Sequence, residues 1–350
     1  MLSTIVEEAR VKLARIQETS VDGPSILVAE AILTDPRKVR TLAINGGLVS
    51  NELRQIAWPY LLSERPRAET PERVKRDAKN EAETFKQIQL DVPRSANDEG
   101  RQFLATFLHD FFTKHDDLHF FQGFADVAWT VLQVMASGPV DTKGIAAAHF
   151  VLGRLSRDFL LRDAHRENFK AVYASLDVIH EIVRSCDKGL DELWYSSEAT
   201  PYWAISPLVC LFTHDVADLT LKAKIMDGII ASEMQPELPI YMVASLVLLP
   251  EVKSKLKQDP DSSAMHQILL DAAKNEKYIE QLVPAAIALR EKVPPRVLMT
   301  AAEASGVPKD CCLYRSIETS MTTMTKKRSW RTYSFFAVPF AALEASSVPL

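Results

Sequence analysis

Ile88-Gln89-Leu90-Asp91-Val92-Pro93-Arg94 follows a charged helical run and leads into a loop over residues 95–100. Further on, Phe120-Phe121-Gln122-Gly123-Phe124-Ala125-Asp126-Val127 opens an apolar helix. The first segment ends on a guanidinium, a planar and permanently charged fork of donors. The second begins on an amide, which both donates and accepts hydrogen bonds. Neither specifies chemistry alone. A loop arginine is usually solvated, and a glutamine at a helix start is usually a polar group of the cap region.

Outward from these two segments the chain reads as helix throughout. Leu2, Ile5, Val6, Ala9, Leu13 and Ile16 share one face of an opening helix, closed by Asp22-Gly23-Pro24. Helical patterns follow at 25–33 and 37–44, the latter stopped by Gly46-Gly47. Ser50 is placed to cap a helix over 51–62, with Glu52 in the first turn, where the helix dipole favours a negative charge. Residues 63–86 are dense in charge and read as an exposed connection followed by a solvated helix. Further helices are expected at 101–114, 118–135, 143–161, 169–185, 204–212, 219–232, 236–249, 263–275, 279–289 and 295–305. The apolar run 238–249, bounded by Pro236 and Pro250, is too short to span a bilayer and reads as a buried core helix. No convincing alternating strand and no fixed-period repeat appears. From Ser316 the chain turns Ser/Thr-rich, then basic (Lys326, Lys327, Arg328, Arg331), then aromatic, and reads as a loosely ordered appendage.

Composition supports a helical globular chain. Of 350 residues, 47% are hydrophobic and 25% charged, which is not disordered composition. Only 11 glycines argue against sandwiches and barrels, which need many tight turns. The formal net charge of -5 argues against general nucleic-acid binding, which needs a basic face. Four cysteines form no CxxC pair and read as free thiols in a reducing cytosol. The N-terminus carries Glu7 and Glu8 and no long apolar core, unlike a signal peptide. No phosphate-binding GxxxxGK[ST] or GxGxxG loop is present, so the chain is expected to bind no nucleotide of its own, and no GxSxG elbow appears. His115 and His119 have the spacing of two zinc ligands on one helical face, but the glutamate that activates water in HExxH enzymes is missing. A polar helix junction, with Asp116 or Asp117 capping the next helix, is the expected reading there, and a metal hydrolase built on the two histidines is the rival.

Taken together and in order, the two opening segments resemble the paired catalytic motifs of the TBC-domain Rab GTPase-activating proteins. Ile88, Asp91 and Arg94 complete that family's IxxDxxR motif, and Phe120, Phe121 and Gln122 stand for its YxQ, followed by Gly123 and Asp126. The upstream run 53–62, with Arg54 and Trp58, is similar to the family's opening motif. Residues 205–216 and 238–242, with Asp227 between, resemble its later helices, so the resemblance covers roughly 37–295. The most similar branch is the one whose animal members carry a C-terminal membrane anchor and act on the ER-to-Golgi Rab.

The resemblance implies an all-α TBC fold of two packed helical subdomains. The chain is expected to divide into accessory helices at 1–36, the Rab-GAP domain at 37–305 (fingers in 37–165, a helical half in 166–305) and a loosely ordered basic–aromatic tail at 306–350. It implies that Arg94 is an arginine finger and Gln122 a glutamine finger, with Asp91, Asp126 and Arg54 in support. Asp126 is expected one helical turn after Gln122 on the same face. The implied partner is a GTP-bound Rab, which brings its own GTP and magnesium. The chain is expected to hold no cofactor or metal and to run no independent reaction. The alternative within the same fold is a non-catalytic Rab-binding scaffold. Phe120 in place of the motif's tyrosine loses a hydroxyl and keeps a ring. Pro93 is expected to bias Val92 toward extended backbone, and Pro207 to sit in the first turn of a helix starting near Ile205. A cytoplasmic setting is expected, at the cytosolic face of ER and Golgi membranes, with weak peripheral membrane contact through 326–343.

Overall fold

A computed structural model describes residues 10, 11, 14, 23–63, 75–159, 161–166, 168–232 and 235–326. The opening helix at 2–18 and the basic–aromatic residues 327–350 lie outside the described residues, apart from residues 10, 11 and 14. The first part of the chain gives α1 (Gly23–Thr34), α2 (Pro36–Asn45), α3 (Asn51–Ser63), α4 (Ala78–Ser95), α5 (Asp98–Lys114), α6 (Phe124–Met135), α7 (Thr142–Asp158) and α8 (Leu161–Ala164). Then come α9 (Lys170–Cys186), α10 (Lys188–Ser196), α11 (Ile205–Val209), α12 (Leu219–Ala231) and α13 (Leu238–Leu248). The chain continues with α14 (Pro250–Gln258), α15 (Ser262–Ala273), α16 (Glu276–Ile279), α17 (Leu282–Lys292), α18 (Met299–Ala304) and α19 (Cys312–Lys326). No strand occurs among the described residues, and the fold is all-α. Among them, no helix is long and apolar enough to cross a membrane.

The helices pack in two groups that share one continuous apolar core. In the first, α6 packs against α3, α4, α5 and α7. Phe111, Phe112 and Phe124 meet in its core, with Phe112 edge-on to Phe124 at 5.6 Å. In the second, α13 packs against α9, α14 and α17. Each residue of α13 is buried, as expected of a helix that is apolar all round. α12 follows the second group's first helices in sequence, yet it packs against α2, α3 and α6 of the first group as well as α17. Chain order and spatial grouping therefore part company at 219–231.

Local chemistry corrects several expected boundaries. Residues 88–94 do not stand alone before a loop but are the C-terminal turns of α4, which Asp77 caps through the Asn80 amide at 2.8 Å. Pro93 sits in the last turns, where it forfeits one backbone hydrogen bond without breaking the helix, and the Ala96 amide still reaches Val92 O at 3.1 Å. Val92 is thus helical and buried, not extended. The helix expected from 118 begins only at Phe124, because Gly123 has φ 93°, a left-handed backbone that an α-helix does not continue through. Residues 118–123 instead run as a turn in which the His119 amide donates to His165 O at 3.0 Å. The helix expected at 204–212 is only five residues long, with Pro207 in its first turn, since Leu211 and Phe212 also adopt positive φ, at 50° and 63°.

The Ser/Thr-rich segment from Ser316 is ordered helix as far as Lys326, which corrects the loose appendage expected there. Leu313, Tyr314 and Ile317 bury one face of α19. Ser316 Oγ donates to Glu237 Oε2 at 2.6 Å, while Arg290 Nε donates to Oε1 of the same carboxylate at 2.6 Å. One buried glutamate before α13 thus ties α19 and α17 together. Helices α10 and α14 were not anticipated, although Asp187 caps the former through the Leu190 amide at 3.0 Å.

Candidate functional site

The two motifs meet through one carboxylate. α4 turns Ile88, Asp91 and Val92 inward and leaves Pro93 and Arg94 exposed. Asp91 Oδ2 accepts the Gly123 amide proton at 2.7 Å, and its Oδ1 lies 3.9 Å from Arg94 Nη1. Burial pushes the Asp91 carboxyl up from its ordinary value, against the Gly123 amide, which pulls it down. Arg94 is 64% exposed, so its pairing with Asp91 is a weak orientation and the guanidinium stays open to solvent.

Gln122 occupies the crest of the turn that precedes α6, and it too is exposed. Its neighbours are held firmly. Phe121 is buried, stacking edge-on to His165 at 4.9 Å and tilted against Phe124 at 5.4 Å. His165 is fixed in turn by Nδ1 on His119 O at 2.9 Å and Nε2 on Ser156 Oγ at 3.1 Å. Phe120, where the motif has tyrosine, packs edge-on to Phe112 at 5.6 Å, so the ring contact survives without the hydroxyl. The Phe124 amide closes the turn on Phe121 O at 3.2 Å. Gly123 is required twice: its φ is positive, and a Cβ there would run into Cys210 Sγ.

Asp126 does not share a helical face with Gln122, because Gln122 precedes the helix. Its carboxylate instead receives His214 Nδ1 at 2.9 Å, and its amide donates to Gly123 O at 3.2 Å. The bond to Asp126 raises the His214 pKa above its ordinary value. His214 and Cys210 were not singled out from sequence. The one signal was their place within 205–216, and 88 residues separate His214 from Asp126.

Arg54 lies elsewhere, at the junction of α3 and α12. Its Nη2 and Nε hold Asp227 Oδ2 at 2.9 and 3.0 Å, and Nη1 reaches Asn51 Oδ1 at 3.1 Å. Trp58 Nε1 and the Leu48 amide complete the shell of Asp227 at 2.7 and 2.8 Å. These contacts join fold elements and include neither Asp91 nor the 120–123 turn.

The surroundings of His115 are taken up by an ion pair. Arg157 places a guanidinium 3.2 Å from His115 Nδ1 while holding Asp117 at 2.7 Å. Burial, followed by that cation, lowers the His115 pKa to about 4. Among the described residues no group of three or more His, Cys, Asp or Glu side chains is arranged to hold a metal ion. Asp117 therefore pairs with α7 and caps no helix, and Asp116 caps none either, its carboxylate lying 2.7 Å from Lys75.

Residues 51–257 match the Rab-GTPase-TBC domain family. TBC1 domain family member 20 of Mus musculus is 28% identical over 296 residues, covering 79% of this chain and 69% of that protein. The GTPase-activating protein gyp10 of Schizosaccharomyces pombe is 28% identical over 148 residues, 42% of this chain and 37% of that one. In fold, the crystal structure of the Ypt/Rab-GAP domain of Gyp1p aligns at a TM-score of 0.59 with 13% identity, covering 81% of this chain and 98% of that one. A Chlamydomonas flagellar RabGAP TBC domain aligns at 0.55, over 81% of this chain and 94% of its own. The matched segment takes in both motif segments and the Arg54–Asp227 junction, and the chain belongs to the Rab-GTPase-TBC domain family.

Proposed function

We propose that this chain accelerates GTP hydrolysis by a GTP-bound Rab, with Arg94 and Gln122 supplied in trans. The observation that carries this reading is their joint presentation: two exposed polar side chains with Asp91 between them, set on a helix end and a rigid aromatic turn. Phosphoryl transfer to water spreads negative charge over the transferred group, and catalysis is mostly positioning and charge stabilisation. Arg94 offers a planar fork to that charge. Gln122 offers an amide that accepts from the attacking water and donates to the phosphoryl oxygen. An arginine finger contributes roughly 10³–10⁵ in rate, about 4–7 kcal/mol of barrier. GTP and its magnesium come with the partner, and this chain contributes side chains only.

The experiment is single-turnover GTP hydrolysis across a panel of GTP-loaded Rabs. Stimulation of at least one member supports the reading. Tight binding to a GTP-bound Rab with no change in hydrolysis would favour the non-catalytic scaffold instead. The proposed setting is vesicle traffic between ER and Golgi, at the cytosolic face of those membranes. It rests on the likeness of the motif series to the branch acting there, and residues 326–343 supply basic and aromatic side chains suited to an anionic surface.

A further inference from the structure

Behind the Gln122 turn sits a second segment, residues 210–215, which follows α11. It is an unusual piece of backbone, since Leu211 and Phe212 both hold positive φ, at 50° and 63°, and both side chains are fully buried. Non-glycine residues in that region are strained and persist where the surroundings over-determine them. Here the conformation is held by Phe212 N on Pro207 O at 3.0 Å, Thr213 N on Cys210 O at 2.9 Å and Thr213 Oγ1 on the same carbonyl at 2.6 Å. It has two outcomes on the site side. Cys210 Sγ is pressed against Gly123, and His214 is delivered to Asp126 at 2.9 Å.

We infer that His214 is a positioning residue for Gln122, acting through Asp126 to fix the far end of the turn whose near end Asp91 holds. The turn is short and internally bonded: Asp91 receives the Gly123 amide, Phe124 N closes on Phe121 O, and Asp126 N closes on Gly123 O. Without His214 the Asp126 carboxylate, itself only 11% exposed, loses its partner from the 210–215 segment. The turn then loses its tie through Asp126 and keeps the Asp91 bond and the packing of Phe121. His214 is itself 53% exposed, so the imidazole adds little to the hydrophobic core, and an exposed histidine at the end of a strained segment has no evident packing purpose. Asp126 Oδ2 faces Nδ1, which selects the ring nitrogen that must carry a proton. Asp215 and Asp91 are the other acidic groups that act on the ring, and both favour its protonated form alongside Asp126.

This role rests on the finger reading, and the test separates the two. Against a responsive GTP-loaded Rab, kcat and KM of stimulated hydrolysis are measured for wild type, His214→Phe, which keeps a ring without nitrogen, and His214→Asn, whose amide places a donor where Nδ1 stood. His214→Phe is expected to lower kcat about 10- to 100-fold, the scale of a modest misplacement of a reacting group, with KM little changed. His214→Asn is expected to recover most of that loss. In a Gln122→Ala background, His214→Phe is expected to add little, because the group it positions is gone. Should His214→Phe fold poorly, His214→Ala removes the same bond at an exposed position and is read the same way. Wild-type kcat in the Phe and Ala variants, an equal loss in the Asn variant, a change confined to KM, or a full additional loss in the Gln122→Ala background overturns the positioning role while leaving the fingers in place. A wild-type chain that stimulates no Rab in the panel overturns the finger reading and this role with it.

Discussion

The Asp91 carboxylate accepts the Gly123 amide proton at 2.7 Å across 32 residues of sequence, so the residue one helical turn before Arg94 is bonded to the peptide directly after Gln122. The two exposed side chains therefore stand on parts of the fold that cannot shift independently. Asp91 is expected to matter as an acceptor more than as a charge, because its pairing with exposed Arg94 at 3.9 Å is weak. Asp91→Asn, which keeps a carbonyl oxygen for the amide, should retain stimulation within about tenfold, and Asp91→Ala should lose about 100-fold. Asp91→Ala should also cost about 1–3 kcal/mol in urea unfolding, since it leaves a buried amide unpaired. The opposite order, with Asn worse than Ala, would show that the charge governs.

Arg94→Lys is expected to behave nearly as badly as Arg94→Ala in stimulated hydrolysis. Lysine keeps the charge and loses the planar fork that matches phosphoryl oxygens. Both variants should show wild-type unfolding curves, because Arg94 is 64% exposed and its pairing with Asp91 at 3.9 Å is weak. Single-turnover rates against a responsive Rab check this, and a lysine variant with most of the wild-type rate removes Arg94 from the finger role.

Gln122→Ala should slow hydrolysis strongly even when the partner keeps its own switch glutamine. The companion measurement replaces that partner glutamine by alanine. A chain that supplies its own amide should still stimulate the altered partner. Total loss there would return Gln122 to a structural role in the turn.

The residues that carry local patterns were legible, and those defined by distant partners were not. The apolar run bounded by Pro236 and Pro250 became α13, and the helix expected over 51–62 became α3. Arg94 and Gln122 were named because both motifs are contiguous. Pro93 misled, since proline breaks a helix interior but costs little in its last turn. Gly123 ended one helix expectation because a single positive φ cannot be read from an apolar run that continues past it. In α19 the inward spacing of Leu313, Tyr314 and Ile317 was present but masked by the Ser/Thr content around it. His214 meets Asp126 across 88 residues and Arg54 meets Asp227 across 173, and no window of local sequence contains such pairs.

The Arg54–Asp227 pair yields a prediction about stability alone. Arg54 is 3% exposed and Asp227 fully buried, with the carboxylate also receiving Trp58 Nε1 and the Leu48 amide. Buried pairs repay their desolvation only when the remaining lone pairs are satisfied, as they are here, and removing one partner leaves an uncompensated charge. Arg54→Ala should therefore cost about 3–5 kcal/mol, and Asp227→Leu a similar amount. The double variant Arg54→Met with Asp227→Leu should cost clearly less than the sum of Arg54→Met and Asp227→Leu alone, because it removes both charges and restores apolar volume. Urea unfolding of the four proteins measures the coupling. The folded fraction of each should stimulate a responsive Rab at close to the wild-type rate, since none of these contacts includes Asp91 or the 120–123 turn. A strictly additive double variant would show that the pair's burial carries no mutual dependence, and a specific loss of kcat in well-folded Arg54→Met would move Arg54 back among the residues that support the fingers.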